Sequence, residues 1–245
     1  MKKSNLLIPA LLLTIGFIVV ALVFSNTFKY KYKQQNIVTV TGNALKNFES
    51  DIVKWKASYS RKSRDLAEAS AMLEQDRKKV EEFLTSYDIS KDEIVFQSVN
   101  IQKDYTYQTN HEGVSTSIFT GYSLSQTVVV TSNHLDNIGK VAREISSLLS
   151  LGIELTSQSP QFYYSDLEGL KLDLIKEASS NAYQRAQNIA QESQSKINQL
   201  QQADLGIFQI TGLHEDEEYS YGGAFNTSSR SKTAQITVKA KYLLK

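Results

Sequence analysis

The residues with the most obvious capacity for chemistry lie in "HEDEEYSYGGAFNTSSR", residues 214–230. His214 leads Glu215, Asp216, Glu217 and Glu218, a set of hard oxygen ligands beside one imidazole. A divalent cation is the chemistry this composition offers, but the spacing argues against it. A dedicated calcium loop places its acids at alternate positions around a glycine bend, and structural zinc takes several nitrogen or sulfur ligands. Consecutive acids point in different directions. Gly222, Gly223, Asn226 and the serines are loop formers, so the stretch reads as a solvated connector between two strands. The competing reading is a metal-binding or enzymatic protein that uses the acidic loop 214–218.

No other constellation is sharper. His111 sits in a turn sequence, "QTNHEGVST", and His134 beside a helix start, far from His214, with no HExxH pattern. No G-x-S-x-G elbow occurs, and the single glycine in "VTGNAL" makes no phosphate loop. Cysteine is absent, which excludes disulfides, thiol catalysis and zinc-thiolate sites. We therefore assign no catalytic, cofactor-binding or metal residue, no cofactor, and expect no enzyme. Tyrosine is abundant, at 13 residues. Tyr105, Tyr107, Tyr163, Tyr164, Tyr219 and Tyr221 fall near strand ends, where they fit either a half-buried sheet or an interface with protein or lipid headgroups.

The elements that carry these residues begin with the N-terminus. Residues 6–28, "LLIPALLLTIGFIVVALVFSNTF", contain no charge, and at about 1.5 Å per residue they give roughly 34 Å of helix. That length predicts a transmembrane anchor over 6–28, after a cytoplasmic stub at 1–5 and before a juxtamembrane linker at 29–36. A signal peptide cleaved near Ser25 is the alternative. Lys2 and Lys3 on one side nearly balance Lys29, Lys31 and Lys33 on the other, so charge leaves the orientation open.

Beyond the linker, residues 37–245 read as one α+β domain. In "IVKWKASYS" Val53, Trp55, Ala57 and Tyr59 alternate with polar residues. So do Ala234, Ile236, Val238, Ala240, Tyr242 and Leu244 in "TAQITVKAKYLL". "SIFTGYSLSQTVVV" places Ile118, Tyr122, Leu124, Val128 and Val130 together, and "IVTVTG", "IVFQSVNIQ" and "DLGIFQITG" read as further strands. Period-two patterns predict a largely antiparallel sheet with one wet face. Three helices follow from helical periodicity. The first covers Asp65 to Tyr87, with Leu66, Ala69, Leu73, Val80, Phe83 and Leu84 inward. The second runs 134–151, capped by Asn133 and stopped at Gly152. The third opens with a Ser165/Glu168 capping box and carries Leu170, Leu174, Ala178, Ala182, Ala186 and Ala190 at steps of four. Helices are expected on one face of the sheet, with a possible internal β-β-α duplication. Without Lys2 and Lys3, 25 of the 27 basic residues face 26 acidic ones, a balance of −1 for residues 29–245. Such a surface has no pull on nucleic acid.

Four stretches together resemble the SIMPL domain, also called DUF541. They are "IVTVTGNALKNFESDIVKWKASYS", "GYSLSQTVVVTSNHLDNIGKVAREISSLLSLGIEL", "PQFYYSDLEGLKLDLIKEASSNAYQRAQNIAQ" and the closing "ITVKAKYLL". The resemblance spans roughly residues 37–244, with Gly121-Tyr122 and Phe162 through Asp166 as its most specific parts. Ala44 stands where the family commonly has a second glycine, and Ser50-Asp51 where it commonly has Pro-Asp. The resemblance implies an exported or inner-membrane-tethered bacterial envelope protein with its large domain outside. It also implies ring- or channel-like self-association, envelope protein partners, a link to oxidative stress tolerance, and no established catalytic residues. A signalling adaptor, like the animal member of the family, is a further alternative.

Overall fold

The computed structural model describes residues 7–31, 36–109, 111, 113–213 and 222–245, with the side chains of the first helix described only at 13–25. The element order is α1 (Leu7–Lys31), β1 (Ile37–Glu49), β2 (Ile52–Ser63), α2 (Leu66–Thr85), β3 (Ile94–Phe96), β4 (Asn100–Thr109), β5 (Ser115–Ser132) and α3 (Leu135–Glu144). It continues with β6 (Glu154–Ser157), β7 (Gln161–Tyr163), α4 (Leu167–Glu192), β8 (Ile197–Leu205), β9 (Gln209–Gly212) and β10 (Ser231–Leu244). This is the expected α+β class with antiparallel sheets.

Among the described residues, no helix is long and apolar enough to cross a membrane. The described side chains of α1, at 13–25, account for only about 20 Å of helix, short of a hydrocarbon core about 30 Å thick. All of them are exposed, among them Leu13, Phe17, Ile18, Leu22 and Phe24. The remainder of the 6–28 segment has no described side chains.

The chain forms two compact units, and β1, α4 and β10 contribute residues to both. The first consists of the described residues up to Gly42 with Ser180–Asp204 and Val238–Lys245. Here β10 lies between β1 and β8. Ala182 and Ala186 of α4 pack onto Val38, Val40, Ala240 and Tyr242. Only small side chains at every fourth position bring a helix this close to a sheet, which is why the alanine stripe is buried throughout. Strand β8, "INQLQQADL", has no alternating apolar pattern to mark it in the sequence; its side chains are exposed except at half-buried Ile197.

The second unit, Asn43–Ser179 with Leu205–Thr237, holds the larger core. Its main sheet runs β3-β5-β2-β6, with β4 also beside β5 and β7 also beside β2. Strands β2 and β5 pair antiparallel from Val53↔Ser132 to Ser63↔Tyr122. Val53, Trp55, Ala57 and Tyr59 share one buried cluster with Ala69, Leu73, Val80 and Leu84 of α2 and with Leu135, Ile138 and Val141 of α3. Both helices thus cover one face of this sheet. Lys54, Lys56 and Ser58 alternate onto the other.

Several local readings change. "IVFQSVNIQ" is broken into β3 and β4. Leu66 is exposed, and Asp76 takes a place in the buried stripe of α2. Asn133 does not cap α3: the cap position is His134, without a side-chain bond, while Ser132 Oγ accepts from the His134 amide at 3.0 Å. The segment 145–151 tightens into a 3-10 helix, and Gly152 ends it at φ 75° as expected. The start of α4 is capped by Asp166 and not by Ser165. Gly169 N donates to Asp166 Oδ1 at 2.9 Å, and a Cβ on Gly169 would lie 2.2 Å from Asp166 Oδ2. Ser165 is bound elsewhere, to Asp51.

Candidate functional site

A depression of about 440 Å³ in the second unit is lined by Ser50, Asp51, Asn133, His134, Leu135, Asp136, Asn137 and Arg230. Serine, histidine and aspartate are the residue types of a hydrolytic triad, so their geometry is decisive. The turn between β1 and β2 places Ser50 and Asp51, fastened by Ser50 N donating to Arg230 O at 2.9 Å and Asp51 N to Tyr163 O at 3.0 Å. Asp51 is fully committed. Ser165 N donates to Oδ1 at 2.8 Å and Ser165 Oγ to Oδ2, which anchors the approach to α4. This gives the Ser50-Asp51 departure a structural role of its own. Asp136 Oδ1 accepts from Arg230 Nη1 at 2.7 Å, and the Arg230 guanidinium also lies 3.7 Å from Glu49 Oε2.

Among the described residues, Ser50 Oγ is buried and has no hydrogen-bond partner. A nucleophile needs a base within hydrogen-bond reach, and that base an orienting carboxylate. Among the described residues neither hydrogen bond is made: the serine hydroxyl bonds no imidazole, and Asp51 and Asp136 are held by other donors. The depression is a polar seam that ties together the β1–β2 turn, the start of α3 and Arg230, the residue before β10. His111 is exposed on the turn between β4 and β5.

Two polar contacts inside the second unit engage buried side chains, Asp76 and Tyr59, and lay hidden in the sequence. Arg61 Nη2 donates to Asp76 Oδ1 at 2.8 Å, and Arg61 Nε donates to Oδ2. The hydrogen bonds to Asp76 raise the Arg61 guanidinium above its already high pKa. Tyr59 Oη donates to Gln126 Oε1 at 2.5 Å, and Gln126 Nε2 donates to Gln97 O at 2.8 Å. Burial pushes the Tyr59 phenol well above its ordinary value. A buried polar group is tolerated only when partnered, and these chains satisfy that requirement.

The tyrosines separate into different environments. Tyr164 is half-buried, its ring 5.0 Å from Phe48 edge to face, and Tyr163 is half-buried in β7. Tyr105 and Tyr107 are exposed on β4. Tyr219, Tyr221 and the acidic residues 214–218 lie outside the described residues. Among the described residues, no group of three or more His, Asp or Glu side chains is arranged to hold a metal ion.

Compared with known protein families, residues 38–242 match SIMPL, described as "Protein of unknown function (DUF541)". No curated protein matches the sequence.

Proposed function

Since this chain belongs to the SIMPL family (DUF541), we propose that it is a non-enzymatic, membrane-tethered envelope protein whose folded region self-associates outside the cytoplasmic membrane. The observation that carries this reading is the N-terminal helix. α1 continues over Leu7–Lys31, and from Leu13 to Ser25 its side chains are exposed on every side. A helix in water turns one polar face outward; this one has none, and the uncharged residues at 6–12 and 26–28 extend the same character. Such a rod belongs in lipid. In this reading residues 1–5 stay in the cytoplasm, 6–28 span the bilayer, 29–36 link, and 37–245 form the outer body, with stress tolerance of the envelope as its biological setting.

The test is fractionation followed by protease accessibility in intact cells and in lysed cells. The expected result is full-length chain in the membrane pellet, resistant to alkaline carbonate, with the body digested only from the outer side. Full-length chain recovered from a membrane-free cytosolic extract overturns the tether. A mature chain lacking the first residues and recovered in the soluble envelope fraction replaces the anchor with a cleaved signal.

A further inference from the structure

Strand β10 alternates along its length, and its buried side reads Lys232, Ala234, Ile236, Val238 and Ala240. Lysine is the exception in that row. At 2% exposed, Lys232 stands where the alternation calls for an apolar residue, and lysine is almost never fully buried unless something holds it. Its backbone pairs with Gly212 of β9. Phe225 bridges Ile210 of the same strand, and Asn226 N donates to Ile210 O at 2.9 Å. β9 therefore draws the segment at 225–226 and the start of β10 together.

The side chains meet there, out of water. Asn226 is 7% exposed. Lys232 Nζ donates to Asn226 O at 2.7 Å and to Asn226 Oδ1 at 3.4 Å. The carboxamide is itself held at both its atoms. Ser229 N donates to Oδ1 at 2.9 Å, and Nδ2 donates to Ser228 Oγ at 3.2 Å.

We propose that Lys232 and Asn226 condense into an intramolecular isopeptide bond. In that step the Nζ–Cγ bond forms and the Cγ–Nδ2 bond breaks. One amine proton ends on the departing nitrogen, which leaves as ammonia. Atoms and charge balance without an oxidant, a reductant or a co-reactant.

Each contact answers a requirement of the step. An amine attacks in its neutral form, which removal from water favours over the charged one. Holding amine and amide against each other replaces a rare encounter by a standing one. Negative charge grows on Oδ1 as Cγ becomes tetrahedral, and the Ser229 amide lies at the distance of an oxyanion donor. Nδ2 becomes a basic amine in the same intermediate, and the Ser228 hydroxyl beside it is placed to supply the proton it leaves with. Burial of a lysine is satisfied by hydrogen bonds alone; the donor on Oδ1 and the hydroxyl at Nδ2 are the further parts that acyl transfer needs. The product closes residues 226–232 into a covalent ring at the start of β10, in a chain without cysteine for a disulfide. Such a ring restrains the unfolded chain as a disulfide does.

The test is tryptic peptide mapping by mass spectrometry of the full chain, purified in mild detergent and unfolded before digestion. Trypsin cuts after Lys196, Arg230 and Lys239, but not after an acylated Lys232. The expected product is a branched species, residues 197–230 joined to 231–239, lighter by one ammonia than the two peptides together. Fragmentation should place the branch between Asn226 and Lys232. Peptide 197–230 recovered alone at full mass, with cleavage after Lys232, overturns the proposal. A succinimide at Asn226 also loses ammonia but makes no branch, so 197–230 recovered alone and lighter by one ammonia refutes the bond as well. Lys232→Met should release 197–230 at full mass, and a deficit that persists in this variant counts against the lysine. If the variant does not fold, the map of the unaltered chain decides alone.

Discussion

Tyr59 shows how a single side chain in β2 links burial to conditions. Burial is the largest influence on its pKa and raises it; Arg77 opposes that rise, and Glu74 and Asp76 add to it. The fold therefore holds the neutral phenol. The sign follows directly: an acid whose pKa is raised by folding contributes its full stability below its unfolded value and loses it as pH rises through the folded one. The unfolded value is 10.0, so the melting temperature should fall as pH climbs above 10. Tyr59→Phe should flatten that decline while costing about 1 kcal/mol at neutral pH, the net worth of one hydrogen bond. Thermal melts from pH 7 upward on both proteins check it. An identical alkaline slope in the variant would assign the loss to other groups.

At the scale of elements, Gly121 explains why Gly121-Tyr122 is such a specific pair. It sits where β2 ends, at φ 153°, and a Cβ there would lie 2.6 Å from Ser63 O. Backbone cannot yield to a methyl group as the tip of a flexible side chain can. The same point is where β5 leaves β2 and runs on beside β4 alone, and Thr120 is an extra residue there, since Asp104 pairs with Gly121 but Tyr105 with Phe119, which turns Phe119 and not Ile118 to the side of Leu124. Gly121→Ala should destabilise the second unit by about 2–3 kcal/mol, combining backbone strain with overpacking, measured by urea denaturation. Gly152→Ala, at φ 75° with open space around it, should cost only about 1 kcal/mol. Equal costs at the two glycines would show that close approach contributes nothing at Gly121. α4 displays the same economy differently, since Asp166 and Gly169 form its cap while Asp51 draws Ser165 away.

For the whole molecule the governing fact is near-neutral charge: +1 overall and −1 for residues 29–245. Exposed ion pairs such as Lys46–Asp173 and Lys171–Glu168 are scattered and contribute little. Self-association of a chain so close to neutral, as proposed above, should then depend little on ionic strength. Raising sodium chloride from about 0.05 to 0.5 M should change the sedimentation midpoint less than about threefold, because the long-range repulsion or attraction that salt screens is small between bodies of almost no net charge. A tenfold weakening would mean that charged side chains hold the copies together.

Patterns that depend only on neighbours along the chain were legible without coordinates. The alternation in β2 and β10, the alanine stripe of α4, the stop at Gly152 and the apolar N-terminus all arise from local periodicity and hydrophobicity, which every solution must respect. What required the folded chain was each choice among partners distant in sequence. Asp76 enters a core because Arg61 meets it from another element, and Ser165 gives up capping because Asp51 comes within reach. β8 becomes a strand by bonding to β10 despite its polar sequence. The side taken by Ile118 and Phe119 depends on one unpaired residue in a register that only strand pairing defines. Alternation along β5 by itself points the wrong side chain toward the core.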